Sequence, residues 1–159
     1  MSVVLWRIAQ ETPEYRADDL SGLGAAKTGG RWNSVGKPVI YTSRSVALAY
    51  LETLTQVGRE APHNRFLVRI VVPDKVWDQA LWVKEKELPK TWRAQPAGIG
   101  SIQFGDKWLL ARKSALLCLP SVIVPEDTNV LINPNHEDAA LIQARVQRQL
   151  LYDTRFLRL

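Results

Sequence analysis

Residues 21–52 run SGLGAAKTGGRWNSVGKPVIYTSRSVALAYLE, and three local chemistries follow one another inside them. From Ser21 to Gly36 glycine recurs at 22, 24, 29, 30 and 36. Such a segment reads as a loop of about sixteen residues without a regular element, longer than most connections and therefore a candidate for function. Small residues let backbone N–H groups approach a ligand, and Arg31 stands where the glycines end. The segment is neither a Walker loop, which needs Gly-Lys followed by Ser or Thr, nor a dinucleotide fingerprint between strand and helix. After Pro38, Val39-Ile40-Tyr41-Thr42 predicts a short strand. Ser43 or Ser45 then offers an N-cap for a helix through Ala47, Leu48, Leu51 and Leu54 that stops near Gly58. Loop, strand and helix succeed one another within about twenty residues, so Arg31, Tyr41 and Glu52 are candidates to converge. Taken alone, Arg31 also fits a solvated loop, and Glu52 fits a structural ion pair or a solvent-facing helix position.

Outward from this stretch, Val3-Val4-Leu5-Trp6-Arg7-Ile8 predicts a first strand and Phe66 to Val72 a second, stopped by Pro73. Residues 74–99 read as mostly irregular, with a short helix near Trp92. Asp106 to Lys113 suggests a helix. Ala115–Leu119, Ser121–Val124 and Val130–Ile132 are short apolar runs divided by Pro120, Pro125 and Pro134. Ser121 thus falls at a strand junction between two prolines, while Asn129, Asn133, Asn135 and His136 look like turn chemistry. A last strand is expected near Val146–Leu150, unless a helix from Glu137 extends into it. No repeat or linker interrupts the pattern, so residues 1–159 read as a single α+β domain.

Composition narrows the chemistry. With 159 residues and 46% hydrophobic side chains the chain can bury a core. No apolar run has the length of a membrane span, and MSVVLWRIAQ lacks the order of a secretory signal, so a cytoplasmic protein is expected. The sole cysteine, Cys118, lies in an apolar run and reads as an inert buried thiol. Two histidines, far apart, leave no basis for a zinc site, and no metal is expected. The net charge of +5 favours an anionic partner, but the basic residues are dispersed. A nucleic-acid-binding module or nuclease is therefore the weaker alternative.

Taken together, Asp19–Ala25, Gly29-Gly30-Arg31-Trp32-Asn33, Val39–Ser43, Ala47–Glu52, Pro120–Pro125, Asn129, Leu131–Pro134 and Tyr152–Arg155 resemble the RES family of bacterial toxins, named for its arginine, glutamate and serine. The resemblance spans nearly the whole chain, and residues 74–100 add little to it. It implies a fold similar to the ADP-ribosyltransferase toxins, with a split mixed β-sheet around an NAD-binding cleft. It also implies the toxin of a type II toxin–antitoxin system, partnered by an Xre-type helix-turn-helix antitoxin. The implied activity degrades NAD at the nicotinamide–ribose bond by hydrolysis or phosphorolysis; the alternative is an ADP-ribosyltransferase that modifies a host protein. NAD is then the substrate and DNA is met through the antitoxin. By motif, the catalytic set is Arg31, Tyr41, Glu52 and Ser121, and Arg31, Tyr41, Gly30, Trp32 and Ser43 are expected at the NAD.

The chemistry fits these residue types. Breaking the bond to nicotinamide builds positive charge on the ribose, which a carboxylate stabilises. Arg31 offers a planar fork of donors for the pyrophosphate or ribose, and Tyr41 offers a ring that can stack on nicotinamide. Ser121 is expected to hydrogen-bond Glu52 or the substrate. Nicotinamide leaves as a neutral group, so the shortage of histidines is no obstacle.

Overall fold

The computed structural model describes residues 1–158; Leu159, the last residue of the expected domain, lies outside them. β1 (Ser2–Gln10) pairs antiparallel with β3 (Arg65–Pro73) along its whole length, from Ser2 opposite Pro73 to Gln10 opposite Arg65. β3 pairs in turn with β7 (Gln143–Gln149), with an irregularity at Leu67/Val68. A second group is built from β2 (Ile40–Ser43), β6 (Thr128–Ile132) and β5 (Leu116–Pro120), all antiparallel, with the two-residue β4 (Leu81–Trp82) parallel to β5. The strand order is β4-β5-β6-β2-β1-β3-β7. Between β1 and β2 the register reduces to one pair, Trp6 opposite Ser43. The mixed sheet is therefore split into two halves at that seam.

Three apolar clusters hold the halves and their covers. Leu5, Ile70 and Val72 of one half meet Ile40, Leu116, Val130 and Ile132 of the other in a shared core. Each such fully buried side chain contributes about 1.5–3 kcal/mol relative to exposure. Strand periodicity sends alternate residues of β2, β5 and β6 the other way. There Leu117, Leu119 and Leu131 pack on Trp32, Trp92 and Trp108 under α4 (Ile99–Ala111). Trp6 and Ile8 of β1 and Leu67 of β3 carry α2 (Val46–Leu54) and the C-terminal Tyr152.

Local chemistry explains where the elements depart from expectation. The stretch from Ser21 to Gly36 does hold a regular element, α1 (Leu23–Thr28). Gly22 at φ 73° and Gly29 at φ 69° end this helix rather than break it, and Ala25 and Ala26 favour it. Ser45, not Ser43, caps α2, accepting from the Leu48 N–H at 3.0 Å, an interaction typically worth about 1 kcal/mol. α2 ends at Leu54, before Gly58.

Residues 74–99 are more ordered than their composition suggests, with α3 (Asp74–Trp77), β4 and a 3-10 turn at Glu85–Glu87. The helix expected near Trp92 is instead a pair of turns, closed by Trp92 N–H to Pro89 O and Ala94 N–H to Thr91 O. α4 begins at Ile99, well before Asp106. Ser121–Val124 is a bend that leads into a turn at Pro125-Glu126 rather than a strand, and the 3-10 turn Glu137–Leu141 stops before β7. Among the described residues, no helix is long and apolar enough to cross a membrane.

Candidate active site

Glu52 lies in the last turn of α2, half-buried, and the sheet reaches up to it. Ser121 Oγ donates to its Oε1 at 2.6 Å and Asn129 Nδ2 donates to the same oxygen at 2.7 Å. Ser121 follows β5 directly and is fully buried. Its hydroxyl also accepts the N–H groups of Ile123 and Val124, each at 3.1 Å. A serine hydroxyl has two lone pairs and one proton, so with both lone pairs occupied the proton is committed to Glu52. Among the described residues, no hydrogen bond reaches Oε2. The helix itself is pinned from outside. Tyr152 Oη donates to Thr53 Oγ1 at 2.8 Å, Asp153 N–H donates to Tyr50 Oη at 2.7 Å, and the Tyr50 and Tyr152 rings lie 5.3 Å apart.

The Gly29–Asn33 loop is fixed by Asn33, which is wholly buried. Its Nδ2 donates to Ala25 O and Lys37 O, both at 3.0 Å, and its Oδ1 accepts the Tyr41 hydroxyl at 2.6 Å. Tyr41 Oη in turn accepts the Trp32 N–H at 3.1 Å. Burial pushes the Tyr41 phenol well above its ordinary value, and the Trp32 N–H opposes this only in part. A Cβ on Gly30 would stand 2.7 Å from the Tyr41 oxygen, and one on Gly105 would stand 1.7 Å from Trp32 O. Glycine at these two positions lets the loop close onto β2 and α4 onto the loop. Arg31 is anchored on one side: Nη1 donates to Trp92 O at 2.9 Å and Ala94 O at 2.8 Å. Partial burial lowers its pKa, while the Glu52 carboxylate and the Tyr41 phenol act in the opposite sense, which places all three groups within electrostatic reach.

Arg7 is a further group that the sequence reading did not single out. It interrupts the inward face of β1 between Leu5 and Ala9, and its Nη1 is buried without a hydrogen-bond partner. Desolvation lowers its pKa, with Asp19 and Tyr15 opposing. A small hollow of about 10 Å³ there is lined by Arg7, Tyr15, Asp19, Gly22 and Gly24, at the start of the glycine-rich segment. The signal was available: one charge inside an apolar strand at an inward position.

The expected residues therefore fall into two groups. Glu52 and Ser121 are joined by a hydrogen bond, with Asn129, read from sequence as turn chemistry, meeting them from β6, while Arg31 and Tyr41 are fixed at the Gly29–Asn33 loop. Trp32 instead is a core residue, 5% exposed, with its ring 6.5 Å from Trp92 and 5.9 Å from Phe104. Ser43 is buried, and its hydroxyl is spent on Asn129 Oδ1 at 2.7 Å. Gly30 serves the Tyr41 contact. The segment 92–94, which carried little of the resemblance, supplies the carbonyl anchor of Arg31. A larger hollow of about 260 Å³, lined by Trp82, Lys84, Pro120 and Thr128 among others, holds none of Arg31, Tyr41 and Glu52. Among the described residues, no three His, Cys, Asp or Glu side chains gather as a metal site would require.

Comparison with known proteins follows the same lines. The model of the RES domain family matches residues 4–154. The chain is 51% identical over 159 residues to a Sphingobium sp. protein named Prs ADP-ribosylating toxin, covering 99% of both chains. It is 34% identical over 146 residues to a Yersinia enterocolitica protein named Toxin Res, covering 91% of this chain and 93% of that one. A Pseudomonas putida protein of the same name is 34% identical over 148 residues, covering 91% and 94%. The fold is similar to a chain of the M. tuberculosis MbcT–MbcA toxin–antitoxin complex, with a TM-score of 0.67 and 17% identity, covering 99% of this chain and 88% of that one.

Proposed function

We propose that this chain, which belongs to the RES domain family, is the toxin of a toxin–antitoxin pair and breaks the nicotinamide–ribose bond of NAD. The observation that carries the reading is the state of Glu52: one carboxylate oxygen is held by Ser121 and Asn129, and the other receives nothing from the described residues. A carboxylate fixed in this way presents Oε2 to the ribose. It accepts from a ribose hydroxyl and stabilises positive charge as the C1′–N bond breaks. The bonding pair leaves with nicotinamide and neutralises its pyridinium, so no acid is needed at the leaving group.

Arg31, with Nη1 already anchored, keeps Nε and Nη2 for the anionic part of the dinucleotide. Tyr41 shapes the loop through its hydroxyl, and its ring is the group we assign to stacking on the nicotinamide.

A protein side chain is the acceptor that the 51% identical relative supports, its name describing ADP-ribosylation of Prs. The acceptor's lone pair then forms the new bond to C1′ and its proton is released. Attack by water or phosphate, which would simply deplete NAD, is the second reading; the net charge of +5 draws small anions to the molecule. An Xre-type antitoxin that covers the site completes the proposal. Purified protein freed of antitoxin should release nicotinamide from NAD. With adenylate-labelled NAD, label retained on a cellular protein supports transfer, and label recovered only as free ADP-ribose or its phosphate ester supports depletion. NAD left intact by folded protein in the presence of lysate and phosphate overturns both.

A further inference from the structure

Ser43 and Asn129 sit opposite one another in the β2–β6 register, and Ser43 is also the residue paired with Trp6 where the sheet splits. Their side chains share the face of the sheet toward α2. Ser43 Oγ donates its one proton to Asn129 Oδ1 at 2.7 Å. An amide has a carbonyl end and an amino end of nearly the same shape, so Asn129 can in principle turn either one toward Glu52. With the carbonyl end held by Ser43, the amino end must face the carboxylate, where it donates to Oε1 at 2.7 Å. Turned over, Asn129 would aim an acceptor at the carboxylate, which can only accept; Ser43 tethers the other end of the amide and so holds the amino end in line with Oε1.

We propose that Ser43, from the seam of the split sheet, acts through Asn129 as a positioning residue that holds the plane of the Glu52 carboxylate so that one oxygen is turned to the substrate. Ser121 and Asn129 together restrain Oε1, so Oε2 is the oxygen presented. Among the described residues Ser43 makes no hydrogen bond to the carboxylate, and it works by fixing the amide of Asn129. The inference rests on Glu52 acting on NAD, as proposed above. It also accounts for a buried hydroxyl at a place where a simple core would take alanine.

The test is steady-state NAD cleavage by the full chain carrying Ser43→Ala, Asn129→Ala, both together, or Glu52→Gln. Ser43→Ala should lower kcat about tenfold and leave KM within about twofold, because orientation is lost while the substrate contacts remain; tenfold corresponds to the order of one hydrogen bond. Asn129→Ala should lower kcat further. In the Asn129→Ala background, Ser43→Ala should have no additional effect, since its only route to Glu52 is gone. Ser43→Cys, which keeps a weak donor of similar size, should recover part of the loss.

Additive effects of the two alanine substitutions, or an unchanged kcat in Ser43→Ala, overturn the relay. Should Ser43→Ala melt cooperatively only well below assay temperature, the Ser43→Cys comparison and the side-chain amide resonances of Asn129 decide the matter. Asn129 amide protons displaced in Ser43→Cys, with kcat unchanged, would overturn it. Full cleavage by Glu52→Gln instead removes the underlying reading of the active site, a result distinct from failure of the relay.

Discussion

Two charged side chains stand out of bulk water in this molecule, and the protein treats them in opposite ways. Around Glu52 the scaffold is finished: Ser121 and Asn129 meet one oxygen, Ser43 fixes Asn129, and the Tyr50–Tyr152 contact fixes the helix. Around Arg7 the scaffold is left open, with Nη1 buried and unpartnered beside two glycines. An unmet buried charge is costly, because desolvation is not repaid by a partner. The contrast teaches that the fold holds a withdrawn charge at two corners in two ways: with hydrogen-bonding partners on the α2 face of the sheet, and with Asp19 and Tyr15 acting only electrostatically on the opposite face.

The largest effect expected from that contrast is at Glu52. Glu52→Gln keeps the volume and the hydrogen-bonding neighbours but removes the charge, so nicotinamide release should fall roughly a thousandfold while thermal stability stays close to wild type. A variant that retains most of the wild-type rate would put the chemistry elsewhere. Arg7→Met should behave in the reverse manner. Replacing an unpaired buried guanidinium by an apolar chain of similar length should raise stability by about 1 kcal/mol in urea unfolding, and KM for NAD should stay within about twofold, because Arg7 faces the other side of the sheet from Glu52. Loss of stability would show that Asp19 and Tyr15 repay the burial of Arg7 and would remove the contrast.

How far the sequence discloses these two corners differs as well. Glu52 was legible because a carboxylate on a helix of Ala, Leu and Tyr needs a partner, and because the motif order brings loop, strand and helix together. The α+β class and the split sheet followed from short apolar runs and from the family resemblance. The partners were less legible. Asn129 reads as a turn residue among prolines and aspartates, and only the pairing of β2 with β6 turns it toward Glu52. Trp32 and Ser43 lie inside motifs that suggest a ligand, but burial is a tertiary property that a local pattern does not report. Residues 74–99 were opaque for the same reason: β4 is two residues long, and the anchor of Arg31 is made by backbone carbonyls, which leave no mark in the sequence.

Tyr41 lies between the corners and should give a smaller effect. Tyr41→Phe deletes the bond to Asn33 and the acceptor for Trp32, and should cost about 1–2 kcal/mol of stability as the Gly29–Asn33 loop loosens. Its pH dependence has a definite sign. The folded-state pKa is raised above the unfolded value of about 10, so this group's contribution is fully present below about pH 10 and is lost as pH rises beyond it. Wild type should therefore lose stability above pH 10 more steeply than Tyr41→Phe. Parallel alkaline profiles for the two proteins would show that the phenol is not the group responsible.

The smallest effect belongs to Cys118, a buried titratable group that neither corner uses. It projects into the core shared by the two half-sheets, and burial pushes its thiol up to about 12. Nucleophilicity belongs to the thiolate, so at pH 8 the folded protein should resist iodoacetamide and keep its NAD-cleaving rate, whereas protein in urea should gain one adduct. Rapid alkylation of the folded form would mean that the core between the half-sheets opens on the timescale of the assay. The seam at Trp6 and Ser43, joined by a single register pair, is where such opening would begin. In that case Cys118 labelling should quicken in Ser43→Ala, which weakens that seam, and stay slow in Glu52→Gln, which does not.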